Sequence, residues 1–120
     1  MLRGIRGATT VNSNNPDEIR DAVLEMLNEI IKQNDIKIAD IACVEFTMTK
    51  DLDCVYPAKF AREIEGFSTV PFMCYQELEI KNSLPKCIRV LVLVNTEKSQ
   101  HGITHIYLRN AKTLRPDLIK

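Results

Sequence analysis

Residues 86–94 read Lys-Cys-Ile-Arg-Val-Leu-Val-Leu-Val, an apolar run rich in β-branched residues that predicts a fully buried strand with one guanidinium, Arg89, inside it. An unpaired cation is costly to remove from water, so Arg89 requires a carboxylate, an anionic ligand or a solvated cavity. A purely structural role is also open, either at the strand end in contact with solvent or in an ion pair with an internal glutamate. Arg89 is therefore the first residue for which a function has to be considered.

The rest of the chain alternates between strand-like and helical patterns. Residues 2–11, 41–49 and 70–78 have strand composition. A last extended segment is predicted over 105–114, centred on Ile106 to Leu108. A helix is predicted from Pro16, because acidic residues and then apolar residues at helical spacing follow it. A shorter helix is predicted over 57–64, and Arg115-Pro116 is expected to end regular structure.

These elements predict an α+β fold, in which a mixed β-sheet of about five strands carries helices on one face. With 120 residues, the chain is expected to form a single domain over residues 1–120. Several strand edges would stay exposed in a lone domain of this size, so self-association is expected to cover them.

The composition excludes several classes of partner. Sixteen basic residues balance sixteen acidic ones, so no net field attracts nucleic acid or an anionic membrane. The longest apolar run, 90–94, is far shorter than a membrane span, and the N-terminus lacks an apolar signal region, which predicts a cytoplasmic protein. The four cysteines form no Cys-x-x-Cys pair and have no histidine at zinc-ligand spacing, so they are interpreted as reduced thiols and no metal site is expected.

Four parts of the chain resemble the trimeric α/β class of monofunctional chorismate mutase. They are Arg-Gly-Ile-Arg-Gly-Ala-Thr-Thr-Val at 3–11, Tyr-Pro-Ala-Lys-Phe-Ala-Arg-Glu at 56–63, Lys-Cys-Ile-Arg-Val at 86–90, and Tyr-Leu at 107–108 with Leu-Arg-Pro-Asp-Leu at 114–118. The resemblance implies a homotrimeric pseudo-α/β-barrel with active sites between neighbouring subunits. It further implies a cofactor-free Claisen rearrangement of chorismate to prephenate.

The resemblance also implies which residues form the site. One subunit is expected to supply Arg6, Cys74, Glu77, Arg89 and Tyr107, and its neighbour Tyr56, Ala58, Lys59 and Arg62. Leu114 and Arg115 are expected to belong to the C-terminal segment that covers the site, in which residues 115–120 form the tail. Met73, which replaces a smaller residue beside Cys74, is expected to touch the substrate as well. Arg89, Glu77 and Arg6 are expected to be the catalytic residues.

The chemistry of the substrate suits these residue types. Chorismate carries two carboxylates, a hydroxyl and an ether oxygen on which negative charge grows as the carbon–oxygen bond breaks. Arg89 is the expected donor to that oxygen, Arg6 and Tyr107 are expected to hold a carboxylate, and Glu77 to accept from the hydroxyl. Cys74 is expected to be a weak secondary donor, although it and Glu77 have opposite parity on an ideal strand.

Two alternatives stay open. Lys59 and Arg62 lie three positions apart, which also suits a solvated basic helix face. Separately, the chain could be a non-catalytic metabolite-binding trimer that keeps the cations without turnover, or an enamine or imine deaminase on a similar small trimer.

Overall fold

The computed structural model describes residues 1–118. Its sheet consists of β1 (Leu2–Thr10), β2 (Ile41–Met48), β3 (Phe72–Gln76), β4 (Cys87–Asn95) and β5 (Ile106–Tyr107). Two α-helices, α1 (Pro16–Asn34) and α2 (Pro57–Ala61), and five short 3-10 turns complete the described chain. The five strands lie in the order β3-β2-β4-β1-β5.

The sheet is mixed, as predicted. β4 lies in the middle, antiparallel to both β1 and β2, whereas β3 and β5 run parallel to their neighbours at the two edges. Two-residue connections cannot join parallel neighbours, and the connection between the parallel strands β2 and β3 is indeed long, since α2 and a 3-10 turn lie between them. The predicted α+β class is therefore confirmed.

The long helix α1 begins where the sequence predicts. The side chain of Asn15 accepts hydrogen bonds from the backbone N–H groups of Asp17 and Glu18, and Pro16 occupies the first helical turn. The helix ends at Asn34, after which Asp35 adopts a left-handed conformation with φ of 48°.

The apolar stripe of α1 packs on one face of the sheet at Gly7. A Cβ at this position would lie 2.7 Å from Val90 and 2.9 Å from Ile30, so the strand and the helix approach as closely as they do only because the residue is glycine. Odd-numbered residues of β1 and even-numbered residues of β4 face the helix and form the main core. Helices on one face of the sheet were expected, and this too is confirmed.

The second helix is shorter than predicted. α2 ends at Ala61, and the next residues form tighter turns in which Glu63 N–H donates to Phe60 O and Ile64 N–H to Ala61 O. Gly66, with φ of 94°, then reverses the chain towards β3. The helix predicted over 57–64 lies in the right place, but only its first part is α-helical and the rest forms 3-10 turns.

The C-terminal segment is not the extended strand predicted over 105–114. Only Ile106–Tyr107 pairs with β1, and Arg109, with φ of 52°, turns the chain into a 3-10 helix over Arg109–Thr113. Ala111 and Leu114 pack back onto the sheet, which explains why this apolar segment leaves the strand so early. Regular structure also does not end at Arg115-Pro116, because Pro116–Leu118 forms one more 3-10 turn.

The side of the sheet opposite α1, here called the open face, is only partly covered. Ala8 and Tyr107 are buried there beneath Ala111 and Leu114. Elsewhere it exposes large apolar side chains, of which the most exposed are Leu2 at 49%, Tyr75 at 46% and Met73 at 56%. Such a surface is typical of a sheet that packs against another protein surface.

Candidate active site

The guanidinium of Arg89 lies on the open face. In β4 Arg89 is in register with Ala8 of β1 and Thr47 of β2, and Ala8 belongs to the cluster under the C-terminal turns. The prediction of a fully buried strand is wrong at this position, because β4 alternates and the Arg89 side chain is 42% exposed. Alternate residues of β4 bury only the face that contacts the helices.

Glu77 is the partner of Arg89. Its Oε1 lies 2.5 Å from Nε of Arg89, and its side chain is only 19% exposed. The backbone N–H of Glu77 donates to Met48 O at 2.9 Å, which fixes the carboxylate just beyond the end of β3. The ionic contact lacks hydrogen-bond geometry, since the buried Nε makes no hydrogen bond with any residue of 1–118. A guanidinium has five N–H donors, so Arg89, whose Nε faces Glu77, still offers terminal nitrogens that suit a carboxylate.

Cys87 lies two residues before Arg89 on the same side of β4, and it is fully buried. Burial raises the pKa of the Cys87 thiol to about 11, against the opposing attraction of the Arg89 guanidinium for a thiolate. Cys87 is therefore a neutral thiol at neutral pH and adds no negative charge beside Arg89.

Two more arginines approach the same face. Arg6 lies two residues before Ala8 on β1. The pKa of Asp117 is lowered mainly by its hydrogen bonding with Arg115, and the positive charges of Arg115 and Arg6 lower it further. Arg115 binds Asp117 through two hydrogen bonds, from Nε at 3.0 Å and from a terminal nitrogen at 2.9 Å. We call the residues assembled here the open-face group: Arg6, Glu77, Arg89, Tyr107, Leu114 and Arg115.

A second set of predicted residues lies at and around α2. Ala58 is buried, whereas Tyr56 is 72% exposed. The ammonium of Lys59 lies 5.8 Å from the ring centre of Phe60, and the guanidinium of Arg62 lies 5.6 Å from that of Phe72. Both cations are on the surface and pair with no acidic side chain of residues 1–118.

Cys74 lies on the helix side with this second set, so within one chain it does not share the face that carries Glu77. It is in register with Phe46, which is fully buried on the helix side, and it borders a groove with Tyr56 and Lys59. The parity of β3 is the reason, because Met73 and Tyr75 take the open face and Cys74 takes the other. We call Tyr56, Ala58, Lys59, Arg62 and Cys74 the helix-side group.

The structure thus places the predicted site residues in two groups on different sides of the sheet. Met73, the remaining one, is exposed on the open face at the β3 edge. Asp51 is a residue near the open-face group to which the sequence pattern gives no role. Its carboxylate accepts two hydrogen bonds from the Lys86 N–H, a contact between distant loops that only the register of the sheet reveals.

The side chains that could bind a metal ion are dispersed within residues 1–118. There, no three histidine, cysteine or acidic side chains are grouped so that they could hold a metal ion. None of the helices in this part of the chain is long and apolar enough to cross a membrane.

A mixed sheet with helices on one face and an arginine–glutamate pair on the other defines a small α+β protein with a charged site on its open face. A family model described as chorismate mutase type I matches residues 2–118. The chain belongs to the chorismate mutase type I family.

Individual relatives agree with the family match. Chorismate mutase AroH of Bacillus subtilis (strain 168) is 43% identical over 118 residues, which cover 98% of this chain and 93% of that protein. Chorismate mutase AroH of Thermus thermophilus is 44% identical over 119 residues, covering 98% and 97%. The solved structure of chorismate mutase from Clostridium thermocellum superposes with a TM-score of 0.89 at 44% identity and covers 92% and 97%. The family resemblance inferred from four short segments is confirmed.

Proposed function

We propose that this member of the chorismate mutase family rearranges chorismate to prephenate on the open face, with Arg89 as the residue that stabilises the transition state. The observation that carries the proposal is the Arg89–Glu77 pair, which holds a guanidinium at a half-exposed position with nitrogens to spare. The reaction is intramolecular and needs no cofactor, nucleophile or proton carrier, so the rate acceleration comes from substrate orientation and electrostatic stabilisation.

Arg89 acts through its charge. As the ether bond of chorismate breaks, negative charge grows on its oxygen, and a guanidinium already in place stabilises that charge more than it stabilises the ground state. Glu77 contributes by fixing one side of the guanidinium before the substrate arrives. A donor oriented in advance loses little entropy at the moment of reaction.

The remaining groups bind the polar ends of the substrate. Arg6 and Arg115 are cations near Tyr107, which suits a carboxylate held by charge and by a phenolic hydrogen bond. Glu77 also accepts from the hydroxyl of chorismate. Leu114 packs over the Ala8–Tyr107 cluster and supplies an apolar wall that favours a compact substrate conformer.

The complete site forms between copies of the chain in a homotrimer. Within one chain, Lys59 and Arg62 lie on the helix side, so they cannot converge on a substrate held by Arg89. A neighbouring copy that packs against the exposed apolar residues of the open face would bury Leu2 and Met73 and bring its own helix-side group to the cleft. The assembly, like the cytoplasmic location and the single domain, stays a prediction.

The two alternative functions gain no support. The family match and the relatives concern chorismate mutases, and neither points to a deaminase or to a protein without turnover. The paired cations Lys59 and Arg62 also suit a dianion better than a small imino acid.

The proposal is tested by incubating the pure protein with chorismate and following the loss of its ultraviolet absorbance. We expect saturable turnover, with prephenate identified by proton NMR. Binding of chorismate without turnover would point to the metabolite-binding alternative, and release of ammonia from an added imino acid would point to the deaminase.

A further inference from the structure

The carboxylate of Asp51 ties two loops together at the start of β4. Its two oxygens accept hydrogen bonds from the Lys86 N–H at 3.2 and 3.0 Å. One of them also accepts from the hydroxyl of Thr49 at 2.5 Å. A carboxylate that accepts from backbone N–H groups forms charge-assisted bonds, which are stronger than neutral ones.

Lys86 needs such an anchor because its backbone is strained. Its φ of 47° lies in the left-handed region, which a lysine adopts at a cost. Its N–H is bound by Asp51, and its C=O accepts from the Val11 N–H at 3.0 Å. The two bonds hold the turn from which β4 departs.

The same carboxylate orients Thr49, which holds the next residue of the strand. The Thr49 hydroxyl donates to Asp51 and accepts from the Cys87 N–H at 3.0 Å, while the Thr49 N–H donates to Cys87 O at 3.1 Å. Arg89 follows two residues later on the same side of the strand. Asp51 and Glu77 also border one groove, so the anchor and the Arg89 partner lie close together.

We infer that Asp51 is a positioning residue that sets the start of β4 and thereby aims the Arg89 guanidinium at the substrate. The inference rests on the proposed role of Arg89. Asp51 does not itself touch the substrate; it acts through Lys86 and Thr49. An error of an ångström or less in the placement of a reacting group costs up to about 100-fold in rate.

The test compares Asp51→Ala with Asp40→Ala, which removes another exposed acid, just before the opposite end of β2. We expect Asp51→Ala to lower kcat about 10- to 100-fold with little change in KM. Asp40→Ala is expected to leave both constants unchanged. Unchanged kcat in Asp51→Ala would overturn the inference, and so would an equal loss in Asp40→Ala.

Two double variants separate positioning from general stability. Lys86→Gly in the Asp51→Ala background should restore most of kcat, because glycine adopts a positive φ without strain. Asp51→Ala should cost almost nothing further in the Arg89→Lys background, because it acts through the guanidinium that is already altered. Full additivity of those two substitutions would overturn the inference.

An NMR measurement that does not depend on turnover tests the role of Asp51 separately from the proposed function. In the Asp51→Ala variant, we expect faster hydrogen exchange at the Lys86 and Cys87 amides and a shifted Arg89 Nε–H resonance in NMR spectra. An inactive wild-type protein would count against the proposed function alone, and the NMR comparison would then decide the role of Asp51. Identical spectra for these three groups would overturn it.

Discussion

Nε of Arg89 lies 2.5 Å from Oε1 of Glu77, so a cation from the central strand and an acid from the end of an edge strand meet on the open face. The pair is compatible with both alternatives raised by the sequence, since Arg89 has an internal glutamate as its partner at Nε and still offers its terminal nitrogens. A structural ion pair is therefore compatible with the preorganised group that the proposed function requires.

We predict that Glu77→Gln lowers kcat/KM about 10- to 100-fold, because the amide keeps the size of the side chain but loses the charge that orients Arg89. Steady-state kinetics with chorismate provides the measurement. Glu79→Gln is the matched control, since Glu79 is 71% exposed and only approaches Lys50, at 3.9 Å. Equal losses in the two variants would show that Glu77 has no special role.

A shared site predicts complementation between two inactive variants. Arg6 belongs to the open-face group and Arg62 to the helix-side group, so Arg6→Ala and Arg62→Ala damage different sides of each cleft. If neighbouring copies share sites, each mixed trimer contains one cleft that carries neither substitution.

Refolding the two variants together should therefore recover activity that neither shows when refolded alone. The control is a mixture of the two proteins without unfolding, in which subunits do not exchange. A mixed refolding that recovers nothing would place the whole site within one chain.

The thiol of Cys87 predicts a pH dependence of stability. Its pKa is raised to about 11 in the folded protein by burial, against an ordinary value of 9.0. Between these two values the unfolded chain loses a proton that the folded chain keeps, so the stability present below pH 9 falls as the pH rises towards 11. The loss attributable to this group is about 2 to 3 kcal/mol.

Denaturant titrations of the wild type and Cys87→Ala across this range measure the effect. The difference in the free energy of unfolding between the two proteins should shrink with rising pH, while Cys54→Ala, which removes an exposed thiol, should follow the wild type. A constant difference from pH 8 to 11 would contradict the buried thiol.

Under the proposed function, Asp117 competes with the substrate for Arg115. It binds the same guanidinium fork through two hydrogen bonds, and this ion pair lowers the pKa of Asp117. We predict that Asp117→Asn lowers KM about 2- to 5-fold without changing kcat, as expected for release of an exposed ion pair.

The effect of Asp117→Asn should disappear in an Arg115→Ala background. The difference in KM between Asp117→Asn and the wild type should also shrink as the pH falls through the lowered pKa of Asp117. Protonation of Asp117 breaks its ion pair with Arg115, so the wild type then behaves like the variant. A raised KM in Asp117→Asn would instead indicate that Asp117 helps to hold the tail over the site.

Much of the fold could be predicted from local signals. Pro16 and the apolar spacing after it give the start of α1, and the β-branched run after Cys87 gives β4. Errors arose where tertiary packing decides the local structure. The apolar segment after Tyr107 has strand composition, but it turns at Arg109 because Ala111 and Leu114 are buried by packing back on the sheet.

The site could be predicted only as a set of residue types. Arg89 is conspicuous in an apolar strand, yet its exposure depends on the open face being left uncovered by helices. The side on which Cys74 lies follows from its register with Phe46, and the sequence alone does not specify that register. Asp51 reaches Lys86 across 35 positions, and no local pattern indicates that contact.

The most direct test of the central claim is the effect of Arg89→Lys on kcat and on the free energy of unfolding. Lysine keeps the charge but lacks the planar fork, and Arg3→Lys, on β1 with Nε bound to Lys98 O at 3.0 Å, is the control. We predict that kcat falls about 100- to 1000-fold in Arg89→Lys, the scale for loss of one preorganised donor, while stability changes little. A kcat within a few-fold of the wild type, or a loss matched by unfolding, would contradict the claim that this guanidinium stabilises the transition state.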